Sequence, residues 1–388
     1  MKVIINAMLY TMDSINGEIG YVAINNGKIE AVGTDFNQAD FKGYDIIDAK
    51  QHIVTPGIVD PHCHIGIFEE GIKFEGDDTN EMTNPIYPEL RGLDSVYPHD
   101  RAFKYAAPSG VTSVVTGPGS ANVIGGTFTA LKTVGNTVDD MVFKDEVCIK
   151  MALGENPKRV YSGQKKAPST RMASAALMRE WLMKAKQYHE AYQAYENGEE
   201  DAKKPTFDMK LHSLMRVFDG MLVKIHAHRS DDIMTAIRIS KEFGLNVTID
   251  HATEAYLIPE AIKASGVNVI IGPTLGYASK YELIHKSFES AKVLEDHDIP
   301  FAIMTDHPIV TVDVTMVQVA MFMKEGLSRD TALKAVTINA AKLNGIEDRV
   351  GSLEPGKDAD IVIWDNDPFD IMTRTKLVMI DGRIVHEV

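Results

Sequence analysis

The chain has 388 residues, 44% of them hydrophobic and 24% charged, a balance that is typical of a folded globular protein and excludes a disordered or fibrous class. The formal net charge of −15 argues against nucleic acid or an anionic membrane as the main partner and favours a small molecule. The chain has only two cysteines, opens without a signal-peptide pattern and contains no apolar run long enough to span a membrane. We therefore expect a cytoplasmic protein without a membrane anchor. A homo-oligomer is compatible with these features.

Both ends of the chain predict β-hairpins. Near the start, "GYVAINNGKIEAVG" alternates polar and apolar residues around Asn26-Gly27, and "KLVMIDGRIVHEV" does the same around Asp381-Gly382 at the end. Both dipeptides are typical of type I′ turns. We expect the termini, residues 1–52 and 350–388, to form one small sheet beside a central domain over residues 53–349.

Apolar runs between the termini predict eight β-strands, and several of these runs are followed by amphipathic helices. "DDIMTAIRISKEFG" and "RDTALKAVTINAAKLNG" have the helical period, and Gly244 is a stop signal for the first. Eight strand-and-helix units predict an α/β fold, the (β/α)8 TIM barrel, whose chemistry lies at the carboxyl ends of the strands. The runs are IVTPGIV, TSVVT, TFTALKTV, EVCIKMAL, MLVKIHA, NVTID, VNVIIGP and FAIMT.

Residues 161–216 interrupt this alternation with an insertion. It contains the loop "YSGQKKAPSTRM", a helical run rich in Ala, Met and charged residues, and the polar bridge "ENGEEDAKKPT". Two interpretations remain open: a lid that closes over a site, and a solvated loop with an amphipathic surface helix.

The first predicted barrel strand ends in two histidines. His62 and His64 are two residues apart, so on an extended strand their side chains point to the same face and can bind one metal ion. A histidine at a strand end is more often only hydrogen-bonded, so the pair alone is a weak signal.

Three later strands end in further metal-binding side chains. "KIHAHR" supplies His226 and His228, "TIDHATEAY" supplies His251, and "IMTDHP" supplies Asp306. If the barrel forms, these groups meet at one rim. Such a nitrogen- and oxygen-rich site suits zinc, iron or manganese.

Motifs along nearly the whole chain resemble the metal-dependent amidohydrolase superfamily, in particular its imidazolonepropionase-like and prolidase-like branch. The motifs are "VTPGIVDPHCH", the order HxH, HAH, DHA and TDHP, and the tail "NAAKLNGIEDRVGSLEPGKDADIVIWDNDP". The resemblance implies that the terminal segments form a composite β-sandwich. It also implies one or two divalent metals, zinc foremost, held by His62, His64, His226, His251 and Asp306.

The fourth strand leaves two candidates for a further ligand. Many two-metal relatives bridge their ions with a carboxylated lysine at this strand, and others use a glutamate; "EVCIKMALGENPKR" offers Lys150 and Glu155. Lys150 can also be a lysine paired with an acid or one whose charged end reaches solvent, and Glu155 an exposed loop acid that caps the next segment. If neither residue binds, the site holds a single metal.

The resemblance implies hydrolysis of a C–N bond in an amide, a cyclic amide or a dipeptide by a metal-activated water. Asp306 then takes the proton from the water and returns it to the leaving nitrogen. His228 and His251 are the candidates for stabilising the oxyanion. His228 can also be a supporting or a surface residue.

Substrate contacts are predicted near the same rim. Lys158, Arg159 and Arg171 are candidates for holding a substrate carboxylate, and the alternative is that they are solvated. The Gly-rich segment 117–126 lacks the spacing of a phosphate-binding loop and is predicted to border the active site. The acidic loop 69–92 either shapes the pocket or is solvated.

Two other functions are alternatives to hydrolysis. A deaminase with one metal uses the same fold, but deaminase-like relatives carry a glutamate three residues after the fifth-strand histidine, and this chain has Arg229 there. A non-catalytic barrel is the other alternative, and such chains tend to lose metal ligands that this chain retains. Specificity, which lies in loop shape, does not follow from the fold.

Overall fold

A computed structural model describes residues 1–70 and 73–388. The segments at the two ends of the chain build one sheet, the terminal sheet, in the order β16-β15-β14-β5-β1-β2-β3, with β4 on β1. One edge of β1 pairs with β2, and the other pairs with both β4 and β5. Hydrogen bonds join all eight of these strands into one branched sheet separate from the barrel, and the β-sandwich that the resemblance implied stays a prediction. The strands are β1 (Lys2–Tyr10), β2 (Asn16–Asn25), β3 (Lys28–Gly33), β4 (Asp45–Asp48), β5 (Ile53–Pro56), β14 (Ile361–Trp364), β15 (Thr375–Ile380) and β16 (Arg383–Glu387).

Both predicted hairpins are present in the terminal sheet. Asn26 and Gly27 connect β2 to β3 with φ of 49° and 79°, and Asp381 and Gly382 connect β15 to β16 with φ of 49° and 70°. Positive φ at both turn residues is what a type I′ turn requires. The two turns lie against each other, because a Cβ added to Gly27 would lie 3.1 Å from the Asp381 carbonyl oxygen.

A second sheet of eight strands forms a nearly closed barrel in chain order. Its open seam lies between β6 and β13, where the Asp306 N–H donates to the His62 carbonyl at 3.2 Å and the His64 N–H donates to the His307 carbonyl at 2.9 Å. These bonds bring the two ends of the sheet together. The strands are β6 (Ile58–Cys63), β7 (Val111–Thr116), β8 (Ile124–Lys132), β9 (Val142–Ala152), β10 (Leu222–Ala227), β11 (Val247–His251), β12 (Asn268–Ile271) and β13 (Phe301–Ile303).

The barrel departs from the expected (β/α)8 pattern at β8. This strand pairs antiparallel with both β7 and β9, while the other adjacent pairs are parallel. Residues 117–123, which connect β7 to β8, are too few for the dozen or more residues that a parallel crossover needs. All eight predicted runs contain a barrel strand, but the expectation of eight strand-and-helix units is wrong here.

The first predicted barrel run, IVTPGIV, divides between the two sheets. Ile53–Pro56 pairs with β1 and β14 in the terminal sheet, and Ile58–Cys63 opens the barrel. Gly57 lies at the break, where an added Cβ would come within 2.0 Å of Thr112 Oγ1. Only glycine allows the chain to pass β7 this closely.

Helices follow the last five barrel strands. Gly244, with φ of 67°, ends α6 as the sequence predicts. Of the described helices, none is long and apolar enough to cross a membrane. The helices are α1 (Arg101–Ala106), α2 (Val138–Met141), α3 (Glu155–Gly163), α4 (Arg171–Glu196), α5 (Met209–Met215), α6 (Ser230–Phe243), α7 (Pro259–Ser265), α8 (Glu289–Asp296), α9 (Thr315–Lys324), α10 (Arg329–Ala335) and α11 (Ile338–Lys342).

The insertion between β9 and β10 packs on the outside of the barrel. Its long helix α4 contacts α5 and α6, and its loop holds the segment before β7: Gln164 donates to the Met82 carbonyl at 2.8 Å and Lys166 to the Thr83 carbonyl at 3.2 Å. Residues 71 and 72 of the predicted acidic loop 69–92 lie outside the described residues.

Candidate active site

The histidines predicted from the sequence meet at the carboxyl ends of the barrel strands. His62 lies in β6, His64 directly follows that strand, His226 lies in β10, and His251 ends β11. Asp306 follows β13. These groups come from distant parts of the chain, and the barrel brings them together because neighbouring parallel strands end at the same rim.

The first of two overlapping clusters contains His62, His251 and Asp306, which offer ligand atoms within 4.8 Å of one another. Asp306 Oδ1 lies 3.2 Å from His64 Nε2 and 3.6 Å from His62 Nε2. Lys150 Nζ lies 3.1 Å from His62 Nε2. Five of the predicted residues therefore face one small volume.

The second cluster contains His226, His228 and His251, again with ligand atoms within 4.8 Å. Their ring centroids are 4.3 to 4.7 Å apart. Both ring nitrogens of His226, which is 1% exposed, lack a hydrogen-bond partner among the described residues. His228 is buried in this cluster, so the interpretation of His228 as a surface residue is wrong.

Three histidine rings are oriented by groups outside the clusters. His64 Nδ1 lies 2.7 Å from the Gly117 carbonyl, His251 Nδ1 lies 3.0 Å from the Gly272 carbonyl, and His62 Nδ1 lies 2.5 Å from Asp250 Oδ2. A carbonyl oxygen only accepts, so Nδ1 carries the hydrogen in His64 and His251. In the neutral ring, Nε2 then offers its lone pair to the cluster.

Burial sets the protonation of these groups. It lowers the pKa of His62, His228 and His251 well below the ordinary value and lowers that of His226 to about 4, so these rings are neutral at pH 7. Burial alone would raise the pKa of Asp306, but the neighbouring His251 and His64 outweigh it and lower that pKa. Asp306 is therefore an ionised acceptor.

The backbone at the site is unusual. His251, Ala252 and Asp306 have φ of 73°, 44° and 53°, values that residues other than glycine rarely adopt. The left-handed backbone at His251 ends the alternation of side-chain direction along β11. As a result, the side chains of both Asp250 and His251 reach the site. Such backbone strain is concentrated at functional sites.

The two candidates from the fourth strand lie in different surroundings. Lys150 is buried, and burial lowers its pKa to about 8. Glu155 begins α3, and its Oε2 accepts a hydrogen bond from the Glu282 N–H at 3.3 Å. Lys150 faces the histidines, whereas the Glu155 carboxylate faces the loop after β12.

A cavity of about 600 Å³ opens over the clusters. The predicted loops 69–92 and 117–126 contribute Thr79, Asn80, Gly119 and Ser120, and α3 contributes Asn156 and Arg159. Residues 273–286, which the sequence did not single out, contribute the largest share of the wall: Pro273, Leu275, Gly276, Tyr277, Ser279, Lys280, Leu283 and Lys286.

Of the three predicted substrate-binding residues, only Arg159 lines this cavity. Arg171 instead forms a 2.9 Å ion pair with Asp232 at the start of α6. Lys158 is partly buried on α3 outside the lining. Within the described chain, no residue of the insertion 161–216 borders the cavity.

Three functional candidates were missed by the sequence analysis. Asp250 orients His62 and also lies 3.3 Å from the buried Lys224 Nζ. Glu282 and Lys280 come from the loop after β12. Asp250 had a signal, since it stands next to His251 in the quoted motif, but the loop residues follow no motif or periodic pattern.

Comparisons with known proteins agree with the geometry. A model of the amidohydrolase family matches residues 53–385. "Amidohydrolase tasK" of Hapsidospora irregularis is 29% identical over 94% of this chain, which spans only 39% of the length of that relative. The imidazolonepropionase of Thermoplasma volcanium is 26% identical over 90% of this chain and 84% of its own length.

Solved structures give the same result. An amidohydrolase from Thermotoga maritima MSB8 is 39% identical, covers 100% of both chains and superimposes with a TM-score of 0.94. A Xaa-Pro dipeptidase with bound methionine, at 18% identity and a TM-score of 0.58, shares the fold. The resemblance read from the sequence motifs is confirmed: the chain belongs to the amidohydrolase family.

Proposed function

We propose that this protein is a metal-dependent hydrolase that cleaves a C–N bond in an amide, a cyclic amide or a dipeptide. The observation that carries the proposal is the meeting of six polar side chains from five strands beside one cavity, which all of them except His62 line. Burying polar groups without full hydrogen bonding costs free energy, and a structural role does not require it here. The six are His62, His64, Lys150, His226, His251 and Asp306.

The donor set fits a divalent cation. His226 is buried with both ring nitrogens unpaired among the described residues, and His228 Nε2 is likewise without a partner. Neutral imidazoles beside one ionised carboxylate are the ligands that zinc takes, and they also suit iron or manganese. We assign His62, His64, His226, His251 and Asp306 as the protein ligands for one or two ions.

Lys150 is the better candidate for a bridging ligand than Glu155. Its Nζ lies 3.1 Å from His62 Nε2 in the cluster, while the Glu155 carboxylate is bonded to the loop after β12. Carboxylation by carbon dioxide would give Lys150 two ligand oxygens. We therefore propose a carboxylated Lys150.

The reaction needs proton transfer that Asp306 can supply. A bound divalent ion lowers the pKa of coordinated water to about 7 and polarises a carbonyl oxygen. Asp306 is held beside His62 and His64 and is ionised. It accepts the proton of the attacking water and donates it to the leaving nitrogen, a contribution of about 100- to 10,000-fold in rate.

His228 is suited to donate a hydrogen bond to the developing oxyanion. Its Nδ1 lies 2.7 Å from Thr253 Oγ1, a hydroxyl that can donate, so Nε2 is free to carry the hydrogen. That Nε2 also lies 3.5 Å from Glu282 Oε1, and a nearby carboxylate favours an N–H there. A preorganised donor of this kind stabilises negative charge in the transition state.

Hydrolysis is favoured over deamination by position 229. Arg229 forms a pair with Asp231 at 3.0 Å on the surface, and it supplies no acid to the site. The ligand set is retained, which argues against a non-catalytic barrel.

Metal content and turnover test the proposal together. Purified protein is expected to carry about one to two divalent ions per chain and to hydrolyse a member of a panel of N-acyl amino acids, dipeptides and lactam or hydantoin rings. Lys150→Met should lower the metal content and remove the carbamate seen by mass spectrometry, and Glu155→Gln should retain both. Metal-free protein that zinc, iron and manganese fail to activate would refute the assignment.

Asp306→Asn provides a sharper test of the proton transfer within the same panel. The variant should fold and lose at least about 100-fold in kcat, because an amide cannot take the proton. Asp298→Asn, at an exposed ion pair with Lys263, is the matched control and should keep full activity. Full turnover by Asp306→Asn would remove Asp306 from the mechanism.

A further inference from the structure

One lysine on the wall of the cavity has no role in the proposed chemistry. Lys280 lies in the loop between β12 and α8 and lines the cavity, and its side chain is 16% exposed. A lysine this enclosed needs compensating partners, because removing an ammonium from water is costly.

Two groups fix its position. Glu282 Oε1 lies 2.8 Å from Lys280 Nζ, and Asn156 Oδ1 accepts a hydrogen bond from Nζ at 3.3 Å. Glu282 is itself completely buried, and its Oε2 accepts from the Glu155 N–H at 3.0 Å. The carboxylate is therefore anchored to the start of α3, and the ammonium is anchored to the carboxylate.

This arrangement leaves one donor for a ligand. An ammonium group has three N–H bonds. Asn156 and Glu282 accept two of these N–H bonds, and within the described ranges no other acceptor contacts Nζ. Since Lys280 borders the cavity, the remaining N–H is available to a bound molecule.

The charge of the surrounding wall selects the kind of molecule. Beyond the histidine and Asp306 cluster with Lys150, the charged side chains among the described residues of the cavity lining are all cations: Arg159, Lys280 and Lys286. The protein as a whole carries a net charge of −15, so the positive charge of this wall is opposite in sign to the charge of the protein. A cationic cleft concentrates anionic ligands.

The distance from the catalytic groups limits where the anion sits. The Glu282 oxygen that pairs with Lys280 also lies 3.5 Å from His228 Nε2 and 3.7 Å from His226 Nε2. A single carboxylate oxygen therefore separates the ammonium from the histidine cluster. An anion on Lys280 would lie within a few bonds of the scissile group.

We propose that Lys280 binds a carboxylate of the substrate, so that the substrate is an amide that carries its carboxylate close to the scissile C–N bond, as in an N-acyl amino acid, a dipeptide or a lactam acid. This inference rests on the proposed hydrolase function. Lys280 is the specificity-determining residue, and Glu282 and Asn156 position it. Phe68, Leu275, Leu283 and Ile309 provide the cavity with apolar wall for the rest of the molecule.

Matched substrate pairs test the role of Lys280. N-acetyl-L-leucine is compared with N-isopentylacetamide, and pyroglutamate with pyrrolidinone, since each pair differs only in the carboxylate. The metal-loaded wild type should prefer the carboxylate member by about 10- to 100-fold in kcat/KM, as expected for a charge-assisted hydrogen bond. Lys280→Gln should abolish the preference by raising KM for the carboxylate member far more than for the neutral member.

Controls separate recognition from folding. Lys263→Gln, at the exposed pair with Asp298, should keep the preference, and Lys280→Arg should keep most of it. The double variant Lys280→Gln with Glu282→Gln removes both charges together, so that no buried carboxylate is left unpaired. Survival of the preference in both Lys280→Gln backgrounds would overturn the inference.

The inference and the proposed function can fail separately. If the wild type turns over neither member of either pair, the increase in melting temperature that each compound causes is measured instead. The two members of a pair are compared at equal concentration. Stabilisation by the carboxylate members in the wild type and its loss in Lys280→Gln would support the carboxylate site without the reaction. If the carboxylate members stabilise the wild type and Lys280→Gln equally, or stabilise neither, the carboxylate site is refuted.

Discussion

Asp250 determines how His62 meets its neighbours. Its Oδ2 lies 2.5 Å from His62 Nδ1 and 3.3 Å from Lys224 Nζ, and its Oδ1 accepts from Thr248 Oγ1 at 2.7 Å. A carboxylate on the outer nitrogen of a ligating histidine fixes the ring and raises the basicity of the inner nitrogen. His62 therefore depends on Asp250 for its orientation.

Asp250→Asn is expected to lower metal affinity by about 10- to 100-fold, measured by titration against a competing chelator. It also leaves the buried Lys224 without its counter-ion, which costs about 3–5 kcal/mol. The double variant Lys224→Met with Asp250→Asn should recover stability and not metal affinity. Recovery of both together would show that the effect of Asp250 is on folding alone.

The sequence predicts the residues that end strands within motifs, such as His62 and Asp306, because strand ends and ligand chemistry coincide there. Glu282 and Lys280 were not predictable in this way. They lie in a loop without periodicity, and their proximity to His228 arises from how residues 273–286 fold over the barrel. Such contacts depend on loop conformation, which local propensity does not specify.

At the level of elements, the sequence predicts the eight apolar runs of the barrel, but it does not predict whether each strand is parallel or antiparallel to its neighbours. An apolar run has the same pattern whether its strand is parallel or antiparallel, so β8 looked like any other. The short connection of residues 117–123 was the available signal.

The hairpin turns of the terminal sheet lead to a stability prediction. Gly382 has φ of +70°, and an added Cβ would lie 3.0 Å from Ile24 Cγ2 and 3.1 Å from Gly27 Cα. Gly382→Ala should therefore reduce the free energy of unfolding by about 2–3 kcal/mol, measured by urea denaturation.

Gly43→Ala separates the two causes of that loss. Gly43 has φ of +91°, and no atom lies within 4 Å of the added Cβ, so only the backbone penalty of about 1 kcal/mol applies. Equal losses for the two variants would show that the contact between the hairpins contributes nothing.

The two sheets of the whole molecule are joined by a buried charge cluster. Lys132 at the end of β8 is 3% exposed, and its Nζ lies 2.8 Å from Asp360 Oδ2 and 3.0 Å from Asp358 Oδ2, just before β14. Trp364 of β14 adds a second link, since its ring packs against Gly110 just before β7, while its Nε1 donates to Thr55 Oγ1 within the terminal sheet. The barrel and the terminal sheet are thus held by specific polar contacts as well as by apolar packing.

Lys132→Met should destabilise the whole molecule, because it leaves the buried Asp360 without its ammonium and removes one of the cations that pair with Asp358. Breaking a buried pair in this way costs about 3–5 kcal/mol, to be measured by urea unfolding at pH 7. Lys144→Met, which removes only an exposed bond to the Gly345 carbonyl, should lose much less. Equal losses would mean that the cluster does not join the two sheets.

Acid provides an independent check on the same cluster. Burial alone would raise the pKa of Asp358, but Arg349 and Lys132 outweigh it and lower that pKa from 3.8 to about 2. A carboxylate with a depressed pKa contributes stability that is present above pH 4 and is lost as the pH falls toward 2. The difference in the free energy of unfolding between wild type and Lys132→Met should therefore decrease as the pH falls from 4 to 2, because protonated Asp358 no longer needs the ammonium. A difference that stays constant down to pH 2 would assign the loss to the packing of the lysine stem instead of to its charge.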